Sequence, residues 1–319
     1  MKNFLTTKLK VNILMAAMLF VALFAFSCDN NDDDDNAVPV NNGNENLNIV
    51  QVLETFDASM KTQSFNTLQA ALESSGLASA VSSSTLTLFA PTDAAFEAIG
   101  ITPENVSSVE NLSNILLYHV IEGQILSSQL SNKYVPTLGG AAVEINLDNG
   151  AKVNDAQVAK ADIRAENGVI HAIDKVILPP TMNLVELAIS LDPEFSILVQ
   201  AVVKADLAET LAEGGPFTVF APTNAAFASL LEELEAESLD DIPVDVLTEV
   251  LLYHVVEGRV YSSDLQSGEV NSLNGTFTVD VNDLTITDAN SREAALVTSL
   301  LNVQATNGVI HVIDRVILP

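Results

Sequence analysis

Three segments of this chain occur twice, in the same order. Phe89-Ala90-Pro91-Thr92-Asp93 returns as Phe220-Ala221-Pro222-Thr223-Asn224, and the Tyr118-His119 pair returns inside a longer match as Tyr253-His254. Asn167 to Pro179 returns as Asn307 to Pro319 with two substitutions. The offsets are 131, 135 and 140 residues, so the second copy has gained short insertions. Such a spacing far exceeds the roughly 20–50 residues of a solenoid unit. It describes two whole domains, at 47–179 and 181–319. A chain of 319 residues suffices for both at about 100–200 residues each. Pro179-Pro180 joins them, and prolines stiffen a joint, so a restricted relative orientation is expected.

Within each copy the hydrophobic period changes partway along. Leu112, Ile115, Leu116 and His119 fall at i, i+3, i+4 and i+7, as do Leu247, Val250, Leu251 and His254; each set is one apolar helical stripe. Pro243 suits the first turn of the second of these helices. Asp192-Pro193-Glu194 reads as another helix start, with an N-cap acceptor, a proline at N1 and an acid in the first turn. Later segments alternate instead: Val143, Ile145 and Leu147 in one copy, Phe277, Val279 and Val281 in the other. Asn167-Gly168 and Asn307-Gly308 read as type I′ hairpin turns, which need positive φ at both central residues. The apolar runs after them suit central strands. Helices first and strands later predict an α+β fold.

These blocks, together and in order, resemble the pattern of the fasciclin domain family: an F-A-P-T-[DN]-x-A-F block, a Tyr-His pair and a terminal N-G-x-I-H-x-I-D block. The resemblance implies two domains, each a wedge-shaped β-sandwich flanked by helices. It also implies a family role in extracellular adhesion, without catalysis.

The chain carries 42 acidic and 13 basic side chains, a formal net charge of -29. That surface repels phosphate backbones, so nucleic acid is excluded as a partner, and no basic patch serves anionic headgroups. The single cysteine excludes intrachain disulfides and thiolate metal clusters. There is no Walker loop, no Gly-x-Gly-x-x-Gly and no Gly-x-Ser-x-Gly elbow, and no cofactor is expected.

The N-terminus carries an address. Lys2, Lys8 and Lys10 precede 14 unbroken apolar residues, Ile13 to Phe26. At about 1.5 Å per residue this run is too short to span roughly 30 Å of hydrocarbon, and it has the flanks of a signal peptide over residues 1–27. It ends at Ala25-Phe26-Ser27-Cys28, which resembles a bacterial lipoprotein signal and makes Cys28 the lipidation residue. An ordinary signal peptide with an incidental cysteine is the alternative. Residues 28–46, with the run Asp32-Asp33-Asp34-Asp35, cannot bury a core and read as a disordered acidic tether. The run resembles the export tag of surface-exposed bacterial lipoproteins; as a calcium site it lacks the glycine turn and distal glutamate of an EF-hand loop. The expected location is the cell envelope, lipid-anchored in the outer membrane and facing outward.

All four histidines lie in the repeated blocks, which raises two metal pairs, His119 with His171 and His254 with His311. No third ligand stands at metal spacing beside either, so we read them as core histidines bonded to backbone, and no metal is expected. Asp93 is replaced by Asn224 in the sister copy. A catalytic carboxylate cannot become an amide and keep its task, whereas a helix cap accepts either, and Thr92 and Thr223 can cap as well. Tyr118 and Tyr253 read as tyrosines closing the core edge. Ser127, Ser128, Ser262 and Ser263 follow the Tyr-His blocks with no third member for a hydrolase triad.

The second copy is the more acidic, with 4 basic and 22 acidic side chains (net -18) against 6 and 14 (net -8) in the first. Glu232, Glu233, Glu235, Glu237, Asp240 and Asp241 fall where its first insertion lies; they read as a solvated face, with a divalent-cation or basic-partner surface as the alternative. The expected function is non-catalytic adhesion to an extracellular protein or polysaccharide, with oligomeric state open. A glycan-binding lipoprotein using Tyr134 or Tyr261 as a stacking platform, or a carrier of an apolar ligand between sheet and helices, is the rival reading.

Overall fold

A strand made only of apolar residues and threonine has no polar face to offer water, so it must lie inside. In the computed structural model, which describes residues 46–56 and 64–319, every residue of Leu86–Pro91 is buried. The leader, Cys28 and the acidic tether lie outside the described residues.

The first domain runs through helices α1 (Ile49–Phe56), α2 (Asn66–Ser75) and α3 (Ala78–Ser83), strand β1 (Leu86–Pro91), and helices α4 (Asp93–Glu97) and α5 (Leu112–Tyr118). Strands β2 (Val120–Glu122), β3 (Lys133–Pro136), β4 (Ala142–Asn146), β5 (Lys152–Val153), β6 (Ala156–Ala165) and β7 (Gly168–Ile173) complete it. The second domain repeats the order with α6 (Leu184–Ser190), α7 (Ser196–Lys204), α8 (Ala208–Glu213), β8 (Phe217–Pro222), α9 (Asn224–Glu233) and α10 (Val244–Tyr253). Its later strands are β9 (Val255–Glu257), β10 (Gly268–Ser272), β11 (Gly275–Asp280), β12 (Thr285–Thr287), β13 (Glu293–Ala295), β14 (Val303–Ala305) and β15 (Gly308–Ile313). The architecture is α+β, in tandem.

In each domain the first and last strands pair in parallel, β1 with β7 and β8 with β15, while the other strand pairs are antiparallel. The central pair divides two cores. Leu86, Leu88, Ile170 and Ala172 face the helices. Phe89 and Ile173 face the second layer, where they meet Tyr118, Val143 and Ile145. The second domain splits its core the same way, with Phe220 and Ile313 turned toward Tyr253, Phe277 and Val279. Alternation along a strand buried on both faces makes this two-sided core.

In the first domain β6 carries register shifts between Val158 and Ile163 and links all strands into one seven-stranded sheet. Its counterpart in the second domain is broken into β13 and β14, and the strands fall into two four-stranded sheets. The second insertion lies just before the break, in the β12–β13 turn, where Ile286 pairs with Ala294 as Val153 pairs with Ala156 in the first domain.

Two expectations change. The hairpins β6–β7 and β14–β15 exist, but they are not type I′ turns at Asn-Gly. Ala165 pairs with Gly168 and Ala305 with Gly308, so the turns are Glu166-Asn167 and Thr306-Asn307, and none of these residues has positive φ. The glycines are required by close approach: a Cβ on Gly168 would stand 2.0 Å from the Leu86 carbonyl oxygen, and one on Gly308 2.3 Å from that of Phe217. The asparagines act as staples. Asn307 Nδ2 donates to the carbonyls of Leu211 and Gly214, each at 2.8 Å, and its Oδ1 accepts from Leu184 N–H at 2.9 Å. Asn167 holds Val81, Ser84 and Ile49 in the same way. Each asparagine thus satisfies the end of one helix and the start of another. Asn307→Ala is expected to cost about 2 kcal/mol, through orphaned backbone groups at two helix termini. Urea midpoints check this, and Asn307→Asp, which keeps only the acceptor, should retain part of the loss.

The other change concerns α7. It begins at Ser196, three residues after Pro193, and its N-terminus is capped from another element: Asn224 Oδ1 accepts from Ile197 N–H at 2.9 Å.

Candidate functional site in the repeated motifs and the domain joint

The four histidines share one design, with both ring nitrogens bonded to backbone. His119 closes α5, so its ring reaches back one turn: Nδ1–H donates to Ile115 C=O at 2.7 Å, while Nε2 accepts from Ile177 N–H at 3.1 Å. His254 repeats this with Val250 at 2.7 Å and Ile317 at 3.1 Å. Each ring therefore ties the end of a helix to the segment that follows the last strand. Burial drives both down to about 4, so both are neutral at physiological pH. His171 and His311 use the other tautomer. Their Nε2–H groups donate to Ile125 and Val260 carbonyls at 2.9 and 2.8 Å, and burial lowers both rings. Among the described residues, no group of three or more His, Cys, Asp or Glu side chains is placed to hold a metal ion.

Thr92 and Thr223 cap their own helices, accepting from Ala95 and Ala226 N–H at 3.3 and 3.2 Å. Asp93 serves a different helix: its Oδ1 accepts from Thr67 N–H at 2.8 Å at the start of α2. Asn224 does the same for α7, so one motif caps two helices in each domain. Burial works to raise the Asp93 carboxyl, but hydrogen bonds from Ser64, Thr67 and Asn66 outweigh it and hold the group below the usual range. Tyr118 and Tyr253 are buried and donate from their hydroxyls to the carbonyls of Ala142 and Thr276, fastening α5 to β4 and α10 to β11.

The structure also assembles a serine, a carboxylate and a histidine that their sequence spacing did not reveal. Ser127 donates from both backbone and hydroxyl to Asp162, and Asp162 N–H donates to His171 Nδ1 at 3.3 Å. The connectivity is wrong for nucleophilic catalysis. The serine bonds the carboxylate instead of the ring, and the ring donates to a main-chain carbonyl. In the sister copy Asn302 replaces Asp162, with Ser262 and His311 as its partners. Asp162 and Asn302 both have positive φ, at 59° and 57°; short polar side chains that tolerate this region are the available signal.

The joint between the domains is built from residues that only partly entered the sequence reading. Tyr134 on β3 stacks on Tyr261 of the second domain, with centroids 4.8 Å apart and planes 3° from parallel. Gln304 on β14 pairs with the Ala142 peptide as a neighbouring strand would: its Nε2 donates to Ala142 C=O at 2.8 Å and its Oε1 accepts from Ala142 N–H at 3.0 Å. Tyr261 Oη also accepts from Ala142 N–H at 3.1 Å, and Ser263 Oγ accepts from Tyr134 N–H at 3.3 Å. Tyr261 is only 2% exposed, so its ring is no open stacking platform for a sugar, and the half-buried Tyr134 has one face occupied by it.

The profile of the Fasciclin domain family matches residues 63–179 and again residues 193–319. Protein sll1483 of Synechocystis is 46% identical over 141 residues, covering 43% of this chain and 74% of its own length. Transforming growth factor-beta-induced protein ig-h3 of Sus scrofa is 34% identical over 244 residues, 73% of this chain and 34% of its own length. This chain thus spans about a third of that relative. Among solved structures, a FAS1 domain pair from the insect cell adhesion molecule Fasciclin I covers 79% of this chain and 96% of its own, at 18% identity and a TM-score of 0.38.

Proposed function

The chain belongs to the fasciclin domain family, in two tandem copies, and from that premise we propose that it is a lipid-anchored interaction protein of the bacterial cell envelope, held outward by Cys28. Fasciclin domains are non-enzymatic modules of cell-adhesion proteins, which gives the chain an adhesion or interaction role. The observation that carries the non-catalytic reading is the engagement of the motif side chains. All eight ring nitrogens of His119, His171, His254 and His311 face backbone groups, and the hydroxyls of Tyr118 and Tyr253 are bonded within their own domains. These groups maintain shape.

The anchoring rests on Cys28 following an apolar leader, with the acidic run behind it. A multiply acylated cysteine holds far more firmly than one chain, at about 0.8 kcal/mol per buried methylene. Among the described residues no helix is long and apolar enough to cross a membrane. Cys28→Ala is expected to move the protein from the membrane fraction to the soluble fraction, with loss of the acyl mass from the N-terminal peptide. Protease added to intact cells should release the second domain from the wild type. Membrane retention of the variant, or protection from protease, would overturn the anchoring and the outward placement respectively.

The partner is an extracellular protein or a polysaccharide. The apolar-ligand alternative has one observation behind it, an apolar cavity among Val185, Leu198, Val202, Leu211, Leu251 and Val255. Its volume is about 50 Å³, well below the roughly 300 Å³ at which small-molecule sites begin.

A further inference from the structure

The joint uses two different surfaces, and each has an unused counterpart at the far end of the tandem. The first domain contributes the β3–β4 hairpin, through Tyr134 and Ala142. The second contributes Tyr261, Ser263 and Gln304. Matching the domains strand by strand puts Glu269 and Thr276 at the places of Tyr134 and Ala142. Leu126, Ser128 and Arg164 stand at the places of Tyr261, Ser263 and Gln304. Ala142 is buried by the joint, whereas Glu269 and Thr276 are exposed, as are Ser128 and Arg164. An interface between two unlike surfaces, each with a free copy, is heterologous and open-ended.

The replacements are complementary in charge. Glu269 brings an anion to the free hairpin, and Arg164 brings a cation to the free partner surface. Beside Glu269 the second domain has a cleft of about 280 Å³ with an apolar floor of Phe220, Val256 and Val270 and a rim of Asp264 and Glu269. That shape suits the aliphatic stem and guanidinium head of an arginine. The wider charge distribution agrees. Among the described residues, Lys133, Lys152, Lys160 and Arg164 of the first domain form no salt bridge. Lys204, Arg259, Arg292 and Arg315 of the second are all engaged by its own carboxylates or carbonyls. The acceptor end is the domain of net -18, and the donor end the domain of net -8.

We infer that the chain associates head to tail with a second copy of itself, the Leu126–Ser128–Arg164 surface of one copy docking on the β10–β11 hairpin of the next, which brings Arg164 and Glu269 into one interface as Gln304 and Tyr134 are brought together around Tyr261 in the joint. The inference rests on the interaction-protein reading and names a partner for it.

Sedimentation velocity of the solubilised full chain over a concentration series tests it. The average mass of the wild type should rise with concentration. Arg164→Glu and Glu269→Arg each lie on an exposed residue and should each stay monomeric. Mixing the two variants is the decisive arm: each supplies the charge that the other lacks at both contacts, so the mixture should regain open-ended association with the two variants alternating. The double variant in one chain should regain open-ended association. A wild type that is monomeric throughout, association indifferent to both substitutions, or a mixture that behaves as its components would each overturn the inference. Retention of the wild type at the cell surface with binding to an outside partner would leave the interaction reading standing in every such case.

Discussion

Lowering the pH from 7 to 4 is expected to remove about 3 kcal/mol of stability from each domain through one histidine alone, His119 in the first and His254 in the second. Burial holds both rings at about 4 against an ordinary 6.5. Each pKa unit is worth roughly 1.4 kcal/mol between the two states. The unfolded chain takes up the proton first, so stability is complete above about 6.5 and falls as pH drops through the window from 6.5 to 4. Protonation would place a charge against a backbone N–H donor, Ile177 or Ile317, in a buried site. His171 and His311, also lowered by burial, act in the same direction. The depressed carboxyls of Asp93 and Asp288 lose their contribution only below about 3.8, so the histidine losses come first. A domain of ordinary stability, about 5–15 kcal/mol in all, feels such a loss strongly. Urea midpoints by circular dichroism at pH 7.5, 5.5 and 4.5 measure it, and a midpoint unchanged down to pH 4.5 would refute the account.

Arg292→Ala is expected to destabilise the second domain by about 3–5 kcal/mol, because it leaves the Asp288 carboxylate buried without its partner. The Asp288 side chain is fully buried, and Arg292 reaches it through Nε at 2.9 Å. Asp288 also accepts from the backbone of Leu318 and Arg292 at 3.0 Å each, and Arg292 donates to Val316 C=O at 2.7 Å. This latch clamps the C-terminal segment onto the β12–β13 turn. The control is Arg315→Ala, which removes a half-exposed contact to Glu233 at 3.6 Å and should cost under about 1 kcal/mol. Replacing Asp288 and Arg292 together by Leu and Met should cost less than Arg292→Ala alone, since no buried charge is then orphaned. Thermal unfolding should show the second domain's transition moving while the first domain's stays in place. Equal shifts for Arg292→Ala and Arg315→Ala would contradict the latch.

The duplication, the helix-then-strand order and the apolar central strands were legible because they are local or periodic. Leu247, Val250 and Leu251 announce a helical face, and the unbroken run after Gly308 announces a strand buried on both sides. The site was legible only in its residue types. That Asp93 and Asn224 are caps follows from their exchangeability; that they cap α2 and α7, whose N-termini lie about 27 residues earlier, does not. The Asn-Gly pairs misled because one dipeptide serves two physical causes. Positive φ is a property of the turn itself, whereas the contact of Gly168 with the Leu86 carbonyl depends on a strand more than 80 residues away.

What the chain settles by its letters alone is therefore the repeated unit, its α+β order and its acidity, since each depends on composition or on neighbours within a few turns. Tertiary structure decided what the differences between the copies do. The two insertions of the second domain lie far apart in sequence, yet they meet where Arg292 holds both Asp288 and Glu233, the latter at 2.7 Å. Likewise Gln304 finds Ala142 across 162 residues. No period or spacing encodes such pairings. They arise because folding brings distant side chains into a low-dielectric contact, where an unpaired polar group is costly and a satisfied one fixes the arrangement.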